Sequence, residues 1–290
     1  MLDLQQTFDR NVVERFYERL PEGADAQSVY HLQPPYKFGA LLDAALDMGC
    51  DYIATGHYAK TSQAADGTWQ LHRGEDPKKD QSYFLYSLTQ ERLARTIFPL
   101  AGLDKERNVR RIAAEQGFIN AKKAESEDIC FIPDGDYAGY IERRCGHPAA
   151  PGDIMWRDGS VVGRHNGALR YTIGQRKGLG LAMGAPVYVC AKDMQANTVT
   201  VGPEENLFDR IVYADEVNWI AIPELTAPLR VTARTRYHQT KQAATVYPAG
   251  EGQFRLEFDQ PQRAPTPGQA AVLYQGDVVL GGGTITRVEK

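Results

Sequence analysis

No stretch of this 290-residue chain approaches the roughly 20 consecutive apolar residues that a membrane-spanning helix needs. The first residues, Met1-Leu2-Asp3-Leu4-Gln5-Gln6, have no basic region and no apolar region, so they are not read as a secretory signal. Cysteine is scarce and scattered. Cys50, Cys130, Cys145 and Cys190 form no Cys-x-x-Cys pair and no Cys/His metal spacing. That pattern argues against a structural zinc site and against a disulfide-stapled secreted scaffold, and the expected setting is a reducing cytoplasm without membrane attachment. Internal repeats and low-complexity tracts are lacking too. A hydrophobic fraction of 42% with 24% charged residues is enough to build a core without staples. The length suggests two domains, or one with appendages.

An excess of positive charge is also missing, since the formal net charge is −4. The distribution is more informative. Between Ile154 and Gly180 stand Arg157, Arg164, Arg170, Arg176 and Lys177 against a single acid, Asp158. Between Arg230 and Gln242 stand Arg230, Arg234, Arg236 and Lys241 with no acid. Two basic segments in an acidic chain fit the footprint of a polyanion equally as well as a solvated face balanced by acids that folding brings near.

The first half reads as α/β. Asp9 to Leu20 can form an amphipathic helix stopped by Pro21. Lys37 to Met48 is a second helix, with Leu41, Leu42, Ala45, Leu46 and Met48 as its apolar stripe and Gly49 at C′. Asp51 to His57 then suits a buried parallel strand, in the helix–glycine–strand order of a doubly wound sheet. Thr89 and Asp104 are expected N-caps, the first opening a helix with Leu93, Ala94 and Ile97 as its buried stripe, the second a helix containing Val109, Ile112 and Ala113 and stopped by Gly117. Beyond about Gly146 the pattern turns to short strands: Val187 to Cys190, Thr198 to Val201, the alternating Phe254 to Phe258, and a hairpin over Ala271 to Leu280. These suggest a small β-rich unit followed by an antiparallel barrel. The expected division is 1–145, a nucleotide-binding unit; 146–206, a central unit with a basic glycine-rich loop; and 207–290, the barrel.

Three stretches carry side chains suited to chemistry. Thr55-Gly56-His57-Tyr58 falls at the carboxyl end of the expected strand, where open α/β sheets hold their ligands. There Gly56 would let a nucleotide approach the backbone and His57 would donate to a phosphate or base; alternatively, the glycine serves a turn and the histidine a surface hydrogen bond. Lys78 to Phe84 joins cations, the amide of Gln81 and two aromatics. Tyr83 and Phe84 either stack on bases or fill the core. Cys130 lies beyond Lys122 and Lys123, which favour thiolate, and beside Glu125, Glu127 and Asp128, which oppose it. A buried core thiol and a sulfur carrier both remain open on local sequence.

Taken in order, several segments resemble the bacterial tRNA-uridine 2-sulfurtransferase (tRNA-specific 2-thiouridylase) family: Lys37-Phe38, Asp51 to Tyr58 (DYIATGHY), Lys79 to Leu85 (KDQSYFL), Phe98-Pro99-Leu100, Ala121 to Ile132, Thr172 to Gly180 (TIGQRKGLG), Thr235 to Gln239 (TRYHQ), Thr266 to Gln269 (TPGQ) and Leu280 to Gly283 (LGGG). The resemblance implies an adenine-nucleotide alpha-hydrolase-like (Rossmann-like) domain, truncated here, followed by a small central β-rich domain and the barrel. It also implies transfer of persulfide sulfur to C2 of the wobble uridine of tRNA. ATP, with magnesium, adenylates the C2 oxygen, and a cysteine loaded by a separate sulfur-donor protein delivers the sulfur. By the same resemblance Cys130 is the persulfide-carrying catalytic residue and Gly56 an ATP contact. His57, Lys79, Asp80, Gln81, Arg236, Tyr237 and Gln269 are tRNA contacts.

The chain departs from the family pattern twice. Nothing in it matches the Ser-Gly-Gly-x-Asp-Ser pyrophosphate loop. Where the family carries its other catalytic cysteine and a base-contacting acid, this chain has Leu32 and Val29. Two expectations follow. One is a thiolating enzyme inactive as this chain alone, with the loop on a separate polypeptide. The other is a catalytically degenerate tRNA-binding paralogue.

Overall fold

The computed structural model describes residues 36–122, 132, 136–145 and 149–290, with residues 6, 10 and 14. Cys130, Val29, Leu32 and most of the helix expected over Asp9 to Leu20 lie outside the described residues.

The described chain opens on a π turn, Tyr36–Ala40, that runs into the helix Leu41–Asp47. The end of that helix follows the glycine grammar. Gly49 has φ +83°, the Gly49 N–H donates to Leu46 and the Cys50 N–H to Ala45, closing the two bonds of a Schellman motif. The strand expected next is shorter than the sequence suggests. Only β1 (Ile53–Ala54) forms; β2 (Ala59–Gln63) and β3 (Trp69–Arg73) then make an antiparallel hairpin, and β4 (Thr96–Ile97) returns to lie parallel to β1. Thr89 and Asp104 cap their helices as expected, accepting from the N–H groups of Arg92 (3.4 Å) and Arg107 (2.7 Å).

The apolar stripes of this region are less buried than their spacing implies. Leu42 is 3% exposed, but Leu46 and Met48 are 37% and 69% exposed, and Ile112 on the Arg110–Glu115 helix is 38% exposed. Two two-residue strands present too little surface to cover whole helical faces. Cys50 is exposed just before β1.

The second half is built on two sheets. β5 (Gly152–Trp156), β6 (Val161–His165), β7 (Tyr188–Asp193) and β8 (Thr198–Gly202) form a four-stranded sheet in the order β6-β5-β8-β7, with β5 and β8 parallel. Ile154, Val189, Val199 and Val201 are fully buried in its core. β9 (Phe208–Trp219), β10 (Leu229–Arg234), β11 (Gln242–Pro248), β12 (Phe254–Arg263), β13 (Ala270–Gln275) and β14 (Val278–Glu289) run in the order β13-β10-β11-β12-β9-β14. β14 pairs back to β13 and closes the barrel. Closure leaves the strands without a long open edge. The alternation in Phe254-Arg255-Leu256-Glu257-Phe258 behaves as a half-buried strand should, with all three apolar side chains at 0% exposure.

The early hairpin belongs to the barrel sheet. β3 pairs with the start of β14, Leu71 opposite Val279 and His72 opposite Val278, so residues 59–73 extend a sheet made otherwise from the last eighty residues. One core cluster spans this join: Phe38, Ile53, Leu71, Tyr83 and Phe98 pack with Val272, Tyr274 and Val279. Among the described residues, no helix is long and apolar enough to cross a membrane.

Phe254 anchors the barrel interior and its ring lies 6.1 Å from that of Trp219. Phe254→Ala should lower stability by about 3–5 kcal/mol through lost burial and a residual cavity. Urea unfolding followed by tryptophan fluorescence checks this; an unchanged midpoint would show that the barrel core is not packed as described.

Candidate functional site

Gly56 and His57 follow β1, and Phe98-Pro99-Leu100 follows β4, so both segments emerge at the carboxyl end of the parallel pair. That is the end where open α/β sheets form ligand crevices. Gly56 is exposed, and a Cβ placed on it would touch only the Leu100 side chain, at 3.8 Å. The backbone here is open to close approach by a nucleotide. His57 is held firmly. Its Nδ1 lies 3.0 Å from the Thr55 hydroxyl, and its ring sits 5.5 Å from Phe38 and 6.3 Å from Phe98. Burial, with Lys37 nearby, lowers its pKa from 6.5 to about 4. The imidazole is therefore neutral at physiological pH. It can hydrogen-bond a base or a phosphate but brings no charge.

Lys79 to Leu85 forms a tight loop and a 3-10 turn (Ser82–Leu85) stitched to this strand end by a reciprocal pair. The Tyr58 N–H donates to Gln81 Oε1 (3.1 Å) and the Gln81 N–H donates to the Tyr58 carbonyl (2.9 Å). Gly74 makes room for that contact: a Cβ there would fall 2.7 Å from the Tyr58 carbonyl oxygen.

Asp80 is placed inside, at 2% exposure. Its carboxylate accepts from Arg73 Nε (3.0 Å), Arg234 Nη1 (3.3 Å), the Ser82 N–H (3.1 Å) and the Gly74 N–H (3.3 Å). One side chain thus joins hairpin strand β3, the Lys79–Leu85 loop and barrel strand β10. Gln269 is also interior, at 2% exposure, beside Ala270, whose carbonyl accepts from the Tyr83 hydroxyl at 3.0 Å. These two positions, expected to touch tRNA, have side chains turned into the protein.

The remaining expected contacts lie nearer the surface. Lys79 and Gln81 are half-buried. Tyr237, also half-buried, lies 4.4 Å from Phe84 and 6.3 Å from Tyr83 by ring centroids, with His238 at 4.7 Å from Tyr237. Of the two aromatics weighed for stacking, Tyr83 fills the core and Phe84 stays half-open. Arg236 donates from Nε to the Ala264 carbonyl (2.9 Å) and from Nη2 to Thr266 Oγ1 (2.9 Å) and the Ile173 carbonyl (3.1 Å). It ties the barrel corner to the central sheet's glycine-rich segment. The barrel signal missed in sequence was Arg234: a strand-end arginine looks like a surface cation until its carboxylate partner, far away in sequence, is located.

Cys130 lies outside the described residues. Cys50 stands before β1 while Gly56 stands after it, so the exposed thiol and Gly56 are at opposite ends of the strand. Among the described residues no group of three or more His, Cys, Asp or Glu converges to hold a metal.

Residues 1–134 match the tRNA methyl transferase HUP domain family, 139–203 the tRNA methyl transferase PRC-barrel domain family, and 209–285 the aminomethyltransferase beta-barrel domain family. The chain is 49% identical to the tRNA-specific 2-thiouridylase MnmA of Moorella thermoacetica over 99% of its own length and 81% of the relative's. It is 45% identical to the protein of that name from Symbiobacterium thermophilum, over 99% of this chain and 74% of the relative. The Halothermothrix orenii protein is 41% identical, over 98% of this chain and 79% of the relative.

The chain belongs to the tRNA-specific 2-thiouridylase family. The architecture agrees with that membership: a HUP (Rossmann-like) first unit, a PRC-barrel middle and a closed six-stranded antiparallel barrel. In this family member the loop that resembles a tRNA-contacting run is at the same time the seam between the first unit and the barrel.

Two predictions follow from the geometry. Asp80→Ala should destabilise the protein by about 3–5 kcal/mol, because Arg234 would be left buried without its counter-charge. Replacing both partners with leucine should recover part of that loss. Chemical unfolding of the two variants checks this, and a double variant no better than the single would refute the pairing. For His57, the pKa below the unfolded value makes its contribution to stability complete above about pH 6.5. The contribution fades as pH falls toward 4, because the unfolded chain binds the proton first. An NMR titration of the ring should show a midpoint near 4; a midpoint near 6.5 would mean the ring is solvated.

Proposed function

We propose that this chain acts in the ATP-dependent 2-thiolation of the wobble uridine of tRNA. The observation that carries the reading is the reciprocal Tyr58–Gln81 pair together with the Asp80–Arg234 bond. Through these contacts the nucleotide-facing strand end, the Lys79–Gln81 loop and the barrel's Arg236-Tyr237 corner form one connected assembly. Its exposed sides pair an open backbone at Gly56 with an aromatic and basic border, the combination needed to place an unstacked base beside a nucleotide. Lys79, Gln81, His57, Arg236 and Tyr237 border the RNA, while Asp80 and Gln269 hold them in place from inside.

ATP supplies the adenylyl group that turns the uridine C2 oxygen into a leaving group. Gly56 offers the adenine nucleotide a backbone surface without a side chain, and magnesium would arrive on the phosphates. Sulfur comes from a donor protein and travels as a persulfide on Cys130. Transfer forms the C2–S bond and releases the oxygen with AMP; the S–S bond is cleaved by a second thiol. With leucine at position 32, that thiol is an external small thiol or a partner's cysteine. The phosphate-cradling loop is supplied by polypeptide additional to these 290 residues. The leucine and valine at 32 and 29 favour a second reading, in which the same surface holds tRNA without chemistry.

The test is 2-thiouridine formation on a tRNA transcript with ATP, a cysteine desulfurase and dithiothreitol. It is run with this chain alone and with a polypeptide carrying a Ser-Gly-Gly-x-Asp-Ser loop. Thiolation that needs the supplement and is abolished by Cys130→Ala supports the proposal. Thiolation indifferent to Cys130→Ala overturns it, and tRNA binding with no persulfide on Cys130 under any condition favours the second reading.

A further inference from the structure

The two basic segments separate once their partners are known. In the barrel segment, Arg230 pairs with Asp259 (2.8 Å), Arg234 with Asp80 (3.3 Å), and Lys241 with Asp277 (3.4 Å) and the Gly276 carbonyl (2.6 Å). Arg236 is occupied by two carbonyls and a hydroxyl. In the central segment, Arg164 pairs with Asp153 (3.9 Å) and Arg170 with Glu142 (2.6 Å), and the Arg157 stem lies along Gly202. Arg176 and Lys177 are different. Both are exposed and, like Arg157, have no ion-pair partner among the described residues; unlike Arg157 they stand side by side on one turn.

The turn that bears them is rigidly built. The Gln175 side chain accepts from the Thr172 N–H (3.0 Å) and donates to the Lys177 carbonyl (2.9 Å), spanning the tip. The Gly174 N–H donates to Val189 and the Val189 N–H to Gln175, fastening the base of the turn to β7. Leu179, 5% exposed, plugs the far side into the central core. Gly174 and Gly178 have φ of +89° and +76°, which side-chain-bearing residues rarely adopt. A mobile solvated loop needs none of these fastenings. Arg236 fixes the turn's location by holding the Ile173 carbonyl, while its neighbour Tyr237 lies on Phe84. Arg176 is three Cα–Cα steps from Ile173, so the tip stands within about 11 Å of that anchor.

We propose that Arg176 and Lys177 are a backbone-phosphate clamp for bound RNA, flanking the Phe84–Tyr237 face and carried on the central unit rather than on the barrel. The inference rests on the tRNA reading above and adds to it a contact that reads charge and not sequence. Pre-fastening the turn removes most of the ordering entropy that a flexible basic loop loses on binding.

The test is the salt dependence of binding to an unmodified tRNA transcript, measured with the full chain across about 50–300 mM KCl. Two phosphate contacts should account for roughly 1.5–2 of the slope of log K against log salt, so Arg176→Gln/Lys177→Gln should flatten the slope by that amount and weaken low-salt binding about tenfold. The charge-retaining exchange Arg176→Lys/Lys177→Arg should leave the slope within about 0.5 of the wild type's, and so should Arg111→Gln, which removes a cation already paired with Glu115. Wild-type binding with an unchanged slope in the double glutamine variant overturns the clamp alone. An equal flattening by Arg111→Gln also overturns it, because the effect would then be general charge. No salt-dependent binding by the wild type overturns the tRNA reading and the clamp together.

Discussion

A carboxylate inside a protein is tolerable only when its lost hydration is replaced by donors in good geometry, and Asp80 has four of them. Two are guanidiniums, Arg73 from the hairpin and Arg234 from the barrel. Two are backbone N–H groups, Gly74 just after the hairpin and Ser82 two residues beyond Asp80. Because the donors come from three separate elements, satisfying the charge brings those elements into register. The contact is specific as well as attractive. Displacing the loop would strand both the carboxylate and the almost fully buried Arg234, whereas sliding one apolar surface over another carries no such penalty. Tyr274 completes the neighbourhood. Arg234 lies 5.6 Å from the centre of its ring, and burial pushes its phenol well above the usual range, so the hydroxyl remains neutral beside the ion pair.

The rest of the seam repeats that arrangement with uncharged groups. Asn218 donates to the Tyr86 and Leu88 carbonyls, and the Gln90 side chain bridges Trp69 and Ile220. The first unit and the barrel thus share a core, a sheet and a set of side-chain-to-backbone bonds. The central sheet is joined more sparingly, with Arg236 reaching the Ile173 carbonyl and Arg263 pairing with Glu204. One physical consequence is that the carboxyl end of β1 and the aromatic border at Tyr237 are tied into the same bonded body. The glycine-rich turn is held to that body at a few points.

Local rules read well where the physics is local. Gly49 as helix terminator, Thr89 and Asp104 as caps, and the alternation of Phe254, Leu256 and Phe258 each depend on residues only a few positions apart. Misreadings arose where distant residues decide the outcome. The stripe through Leu46 and Met48 predicts burial, but burial needs an opposing surface that two short strands do not supply. The β2–β3 hairpin gave no sign in sequence that its sheet partner would be β14, some two hundred residues onward. For the basic segment from Arg230 to Lys241 the polyanion footprint and the acid-balanced face stood equally open, because Asp80, Asp259 and Asp277 are remote in the chain. Folding neutralises most of it. Gly56 and His57 were placed correctly at a strand's carboxyl end because that inference needs only the strand, not its neighbours.

The same distinction governs how the family motifs should be read. In Lys79 to Leu85, Asp80, Ser82, Tyr83 and Leu85 are buried, and the Gln81 side chain is bonded to the Tyr58 backbone. Most of that motif is therefore required by the seam, and a chain that bound RNA without thiolating it would need these residues just as much as an active enzyme. Their presence argues for the frame. Chemistry has to be argued from other positions: the open backbone at Gly56, the cysteine at 130, and the leucine and valine at 32 and 29, whose side chains can neither attack sulfur nor accept from a base. Arg176 and Lys177 also stand outside the seam. Their turn is held by Gln175, Leu179 and two glycines, and among the described residues their own side chains form no ion pair. A pair of cations presented on a fastened turn without an acidic partner among the described residues is an arrangement that packing alone does not require, and an anionic partner gives it a physical reason.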